Sequence, residues 1–135
     1  MVLKVEGDPT DRPVVLLAED DEVFRSLLSA RLTNAGMHVI EVEDGHELRD
    51  YLQQTRDGGG VLKPDIVVSD VNMPRETGLQ ALERVQPLRM PVVLMTAICS
   101  AALRANAASA GVAAIFEKPF QVEKLVLTIR QMIGK

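Results

Sequence analysis

The sequence predicts a single α/β domain built on a parallel sheet with helices on both faces. Three observations predict it: five short apolar runs, a helix-compatible segment after each, and polar residues gathered where the runs end. Runs that are apolar throughout suit strands buried on both faces. Parallel strands need right-handed crossovers, which lay the intervening helices against the sheet. With 135 residues, 47% of them hydrophobic and 25% charged, the chain has the size and composition to bury one core.

Val14-Val15-Leu16-Leu17-Ala18 is the first strand, stopped by Glu19-Asp20-Asp21. Phe24, Leu27, Leu28 and Leu32 then recur at helical spacing, with Asp21 as the cap and Gly36 suited to the left-handed position beyond the helix. His38 to Val42 is the second strand, and Asp44 with Glu47 opens a helix through Leu48 and Leu52. A polar stretch from Gln53 to Lys63, with Gly58-Gly59-Gly60, reads as a loop. It lacks the lysine and hydroxyl residue of a phosphate-binding loop. Ile66 to Ser69 is the third strand, Gly78 to Gln86 a short helix ended by Pro87, and Pro91 to Met95 the fourth strand. Ser100 to Ala110 is an alanine-rich helix whose only large aliphatic residue is Leu103, with Gly111 beyond it. Ala113 to Phe116 is the fifth strand. Val122, Leu125, Val126, Ile129, Met132 and Ile133 mark the apolar stripe of the last helix, with Phe120 as its anchor in the core. Residues 1–12 read as an N-terminal lead and 13–135 as the domain.

The net charge of −4 provides no basic field for direct nucleic-acid binding. The single cysteine, Cys99, excludes an internal disulfide framework, and no apolar run has the length of a membrane span. A cytoplasmic protein is the simplest reading. His38 and His46 have no metal-binding partners at useful spacing and read as surface residues.

Ligands of such sheets sit beyond the carboxyl ends of the strands. There the sequence puts Glu19 and Asp20, then Asp70, Thr96 and Lys118. Singly, each has an ordinary explanation: a helix start, a loop aspartate, an edge hydroxyl, a surface ammonium. Together they make a site. Three carboxylates in one pocket repel by about 1 kcal/mol per pair at 4 Å in water and about 4 at an effective dielectric of 20, so the cluster calls for a cation. Oxygen ligands without histidine or cysteine favour Mg²⁺. Lys118 supplies an ammonium and Thr96 a hydroxyl for a phosphate, which leaves Asp70 as the nucleophile that forms an acyl phosphate.

Four motifs in order resemble the receiver domains of two-component response regulators: Leu17-Ala18-Glu19-Asp20-Asp21-Glu22, Ser69-Asp70-Val71-Asn72-Met73-Pro74 with Gly78, Met95-Thr96-Ala97, and Glu117-Lys118-Pro119-Phe120. The resemblance runs from about Pro13 to the end. It implies a flavodoxin-like fold with strand order 2-1-3-4-5 and phosphorylation of Asp70 by a phosphohistidine of a sensor histidine kinase or phosphotransfer protein. It also implies Mg²⁺ held by Glu19 or Asp20, Asp70 and the backbone carbonyl of Asn72, a cis bond at Lys118-Pro119, and output through the last two helices and the strand between them. The chain departs from the family at Ile115, where an aromatic switch residue is usual, at Glu19, usually aspartate, and at Ile98, a position that tunes phosphate lifetime. The competing readings are a Mg²⁺-dependent phosphatase of the haloacid dehalogenase type, against which Asn72 stands where a second acid is expected, and a pseudo-receiver or flavin-binding module that works without phosphate. The intact polar set speaks against a pseudo-receiver, and three Phe with one Tyr offer little for a flavin ring to stack on.

Overall fold

In a computed structural model, which describes residues 12–86 and 88–134, the chain folds as alternating strands and helices. They are β1 Val14–Ala18, α1 Glu22–Asn34, β2 His38–Val42, α2 Gly45–Arg56, β3 Ile66–Asp70, α3 Gly78–Arg84, β4 Val92–Thr96, α4 Ala101–Ser109, β5 Ala114–Glu117 and α5 Val122–Met132. All strand pairs are parallel and the order is β2-β1-β3-β4-β5, the expected flavodoxin-like arrangement. Most of the segment read as an N-terminal lead, and Pro87, lie outside the described residues.

β1, β3 and β4 are buried along their whole length, as their unbroken apolar sequences demand. The period of two divides each strand between two cores. Leu16, Ala18, Val67 and Leu94 face the side covered by Leu48 and Leu52 of α2 and by Leu79 and Leu82 of α3. Val15, Leu17, Val68 and Met95 face the other side, where Leu28 and Leu32 of α1 meet Leu125 and Ile129 of α5. Each fully buried aliphatic side chain contributes about 1.5–3 kcal/mol from removal of its surface from water. β2 and β5, at the sheet edges, are only partly buried.

The caps follow the sequence. The Asp21 carboxylate accepts from the N–H groups of Val23 and Phe24, Asp44 from Glu47, Ser100 from Leu103, and Thr77 forms a full capping box with Gln80. Gly36 has φ +92° just past α1, and Gly111 has φ +81° past α4. Four readings change in detail. Gln53 to Arg56 belong to α2 rather than to the loop. α3 ends at Arg84, two residues early, with Val85 as its cap. Asp70 and Thr96 are the last residues of their strands instead of the first residues after them. On α1, Leu27 is 43% exposed, and the side chain buried in its stead is Arg25.

α2 and the β3–α3 connection approach more closely than any side chain permits at Gly45. A Cβ there would lie 2.0 Å from the Glu76 carbonyl oxygen, whereas one at Gly36 would meet nothing within 4 Å. Gly36→Ala should therefore cost about 1 kcal/mol, from left-handed backbone alone. Gly45→Ala should cost about 3 kcal/mol or more, because backbone must move. Urea denaturation at constant m-value checks this, and equal losses at the two positions would show that the close approach does not govern stability.

Candidate functional site

The strand register builds the site at the carboxyl edge of the sheet. Ala18 pairs with Ser69, so Glu19 emerges beside Asp70; Asp70 pairs with Met95, and Thr96 pairs with Glu117, which precedes Lys118. Adjacent strands lie about 4.8 Å apart, so residues from β1, β3 and β5 that leave the same edge can converge. One carboxylate oxygen from each of Glu19, Asp20 and Asp70 lies within 4.8 Å of the other two.

Lys118 crosses to them. Its Nζ donates to Glu19 Oε1 at 2.8 Å and to Asp70 Oδ2 at 3.2 Å, and it lies 4.7 Å from the centre of the Phe24 ring. Phe120 in turn contacts Phe24 and Phe116 edge to face. Glu19 is fully buried. Burial pushes its carboxyl up to about 7, and the nearby Asp70 charge adds to this, against hydrogen bonds from Lys118 and the Asp21 N–H that favour the carboxylate. For Lys118, burial by itself favours the neutral amine, but Glu19 and Asp70 together outweigh it and hold the ammonium above its ordinary value. Counted formally, three carboxylates and one ammonium make −3 + 1 = −2, the charge a divalent cation neutralises. An oxygen-only donor set of this charge fits Mg²⁺.

Asn72 sits two residues past Asp70, its N–H donating to Asp70 Oδ1 at 3.3 Å. Thr96 is buried, but its hydroxyl donates to the Ile98 carbonyl at 2.9 Å and accepts from the Ile98 N–H at 3.2 Å. Its hydrogen bond is thus spent on the β4–α4 connection. Ile115 is half-buried on the α4 side of β5, while Ile98 is 75% exposed. The Lys118-Pro119 bond is cis, as the resemblance implied.

Two residues that sequence reasoning passed over, Arg25 and Glu76, support this edge together with Gly78. Arg25, 8% exposed, donates through Nη1 to the Glu19 carbonyl at 2.9 Å, and its guanidinium meets Glu41 at 3.1 Å and Glu43 at 3.4 Å on and after β2. Glu76, on the β3–α3 connection, is buried between Arg84 of α3 at 2.6 Å and Arg49 of α2 at 3.5 Å. Gly78 lets α3 begin against β3: a Cβ there would lie 2.3 Å from the Asp70 carbonyl oxygen. Sequence reasoning placed Gly78 at the start of a helix, but Gly45 escaped notice because nothing local marks a glycine at a helix start as a contact. Between Asp70 and Gly78, Arg75 adopts φ +69°, unfavourable for a side chain with a Cβ, and its guanidinium lies 3.9 Å from Asp44 at the start of α2. The connection that carries Asn72 is therefore gripped at Arg75 and Glu76 from the α2 side.

The family model of the response regulator receiver domain matches residues 15–130. The transcriptional regulatory protein PdtaR of Mycobacterium tuberculosis is 32% identical over 123 residues, 90% of this chain and 57% of PdtaR. The response regulator MprA of Mycolicibacterium vanbaalenii is 31% identical over 90% of this chain and 50% of its own length. The chain thus spans about half the length of these relatives. Among solved structures, the chemotaxis protein CheY4 of Vibrio cholerae superposes with a TM-score of 0.78 at 27% identity, covering 90% of this chain and 98% of that one. The receiver domain of a sensor histidine kinase of Pseudomonas aeruginosa, solved with a magnesium ion coordinated in its active-site cleft, gives a TM-score of 0.77 at 26% identity, covering 92% and 99%. These similarities favour neither the phosphatase nor the phosphate-independent module. With the whole sheet and the motif-bearing edge matched, the chain belongs to the response regulator receiver domains of two-component systems.

Proposed function

We propose that the chain is a phosphorylation switch in which Asp70 accepts a phosphoryl group from a phosphohistidine of a sensor histidine kinase or phosphotransfer protein. The observation that carries this reading is the Lys118 ammonium shared between Glu19 and Asp70, which joins the ends of β1, β3 and β5 around one carboxylate. An Asp70 oxygen attacks phosphorus in line. The O–P bond forms as the P–N bond to imidazole breaks, and the departing imidazole takes its proton from solvent. Lys118, already within hydrogen-bond distance of Asp70, turns toward the new phosphoryl oxygens, a shift that the added charge of about −2 favours. Glu19, Asp20, Asp70 and the Asn72 carbonyl are the groups that would hold Mg²⁺. Bound there, the ion supplies positive charge to oxygens of the transferring phosphoryl group. The magnesium in the related Pseudomonas domain supports that choice.

Thr96 is the hydroxyl donor for the same phosphoryl group. To serve, it gives up its bond to the Ile98 carbonyl, and so pulls on the chain entering α4. Output then passes through α4, β5 and α5 to a partner protein or a further domain, in the cytoplasm and without direct nucleic-acid contact by this domain. The family role is a phosphoacceptor and not a turnover enzyme. The domain itself is proposed to begin at residue 13.

Labelling with radioactive acetyl phosphate and Mg²⁺ tests the acceptor: Asp70→Asn should abolish incorporation, and labelling equal to the parent would move the phosphate elsewhere. Mg²⁺ at a hundredfold excess over its dissociation constant should stabilise the parent by about 2.7 kcal/mol, several degrees in Tm, reversed by a chelator. Asp20→Asn should lose most of that rise. A full Mg²⁺-dependent rise in the variant, followed by thermal melting, would remove Asp20 from the ligand set.

A further inference from the structure

At the opposite, amino-terminal edge of the sheet, the last turn of α2 faces the connection from α3 into β4 across a cavity of about 410 Å³. Its floor is apolar: Leu52 and Val85 are buried, and Leu88 and Met90 are half-buried. Its rim is cationic, with Arg56, Lys63 and Arg89 all exposed and no carboxylate residue in the lining. Arg56 donates through Nη1 to the Gln86 carbonyl at 3.4 Å, which leans its guanidinium over the mouth.

Unbalanced positive charge is concentrated at this rim. The chain is net acidic, and Arg25, Arg31, Arg49, Arg75, Arg84 and Lys118 all sit beside carboxylates. Among the described residues, Arg56, Lys63, Arg89, Arg104, Lys124 and Arg130 have no such partner, and the first three share one rim. Like charges gathered without counterions are mutually unfavourable, and the partly exposed Leu88 and Met90 between them are a second uncompensated feature. One kind of molecule relieves both: an anion attached to an apolar body. Two guanidinium forks and an ammonium favour phosphate oxygens over a lone carboxylate, and the volume lies in the small-molecule range.

We propose that this cavity binds a small organic phosphate, with the phosphate at the Arg56–Lys63–Arg89 rim and the apolar body over Leu52, Val85 and Met90. The four residue steps from Ile66 to Asp70 span about 13 Å, so a ligand here does not compete for the phosphoacceptor edge. The inference does not rest on phosphorylation of Asp70.

The test is an amide NMR titration of the full chain with naphthyl phosphate, in buffer containing a chelator so that the acidic cluster cannot recruit phosphate through a metal. Inorganic phosphate and naphthol are titrated separately. Saturable shifts at Leu52, Val85 and Met90 are expected, with either fragment alone binding at least tenfold more weakly. The Arg56→Gln/Arg89→Gln double variant should raise the dissociation constant about tenfold or more, whereas Lys124→Gln on α5 should leave it unchanged. Inorganic phosphate binding as tightly as naphthyl phosphate would reduce the site to a charged patch, and naphthol binding as tightly would reduce it to an apolar one. Either result overturns the proposal, as does an unchanged constant in the double variant or a shift pattern confined to the Asp70 edge.

Discussion

The repulsion among Glu19, Asp20 and Asp70 is the constraint around which the carboxyl edge is arranged. Three acidic groups whose oxygens approach within 4.8 Å would separate if they were carried on mobile loops. Here two of them cannot separate. Asp70 is the last residue of a fully buried strand, and Glu19 directly follows another that is its hydrogen-bonded neighbour. The hydrophobic burial of β1 and β3 thus holds charges together that electrostatics would drive apart. The cost is visible in Glu19, whose carboxyl is pushed up to about 7 by burial despite a lysine at 2.8 Å. A site under this tension gains on receiving positive charge, which is what a metal-assisted phosphate site requires.

Support below the edge uses the opposite sign. Arg25 places a guanidinium on the Glu19 carbonyl, so that the backbone next to the acidic pair is anchored to α1 and, through Glu41 and Glu43, to β2. Glu76 does the complementary work at the other carboxylate, tying the connection after Asp70 to α2 and α3 through two arginines. Both are buried charges that have partners. Removing either partner would leave an uncompensated ion, which costs more than the pair contributes when intact.

The parts of this architecture that could be read from sequence are those set by burial on two faces. Val14–Ala18, Ile66–Asp70 and Val92–Thr96 announce themselves because a parallel strand in the middle of a sheet needs apolar residues at every position. Because ligands of such sheets lie beyond the strand ends, the candidates Glu19, Asp20, Asp70, Thr96 and Lys118 could be named with them, and the structure brings Glu19, Asp20, Asp70 and Lys118 together. The supporting ion pairs were not legible, since Arg25 lies 16 residues from Glu41, and Glu76 lies 27 residues from Arg49; no local pattern encodes such pairings. Leu27 misled for a related reason. Helical spacing identifies a stripe but not its limits, and on α1 a long polar side chain with two acidic partners occupies the margin in place of a leucine. The extension of α2 to Arg56 reflects tertiary packing as well, with Leu52 in the core and Thr55 bonded back to its carbonyl.

How a change at Asp70 would travel outward is decided by what Thr96 touches. Its hydroxyl both donates to and accepts from the backbone of Ile98, so any new acceptor at the site competes with the start of the β4–α4 connection. α4 offers little resistance, because Ala107 is its only buried residue and a helix with so few apolar contacts belongs to the low-stability end of a structure. Ile115, lying on the same face of β5, is β-branched and stiff at χ1, so it cannot sweep between two positions as a ring does. In the proposed switch, coupling therefore runs along the backbone from Thr96 through Ile98 to the Ser100 cap of α4. The side chain at 115 then acts as a fixed surface against which that helix resettles.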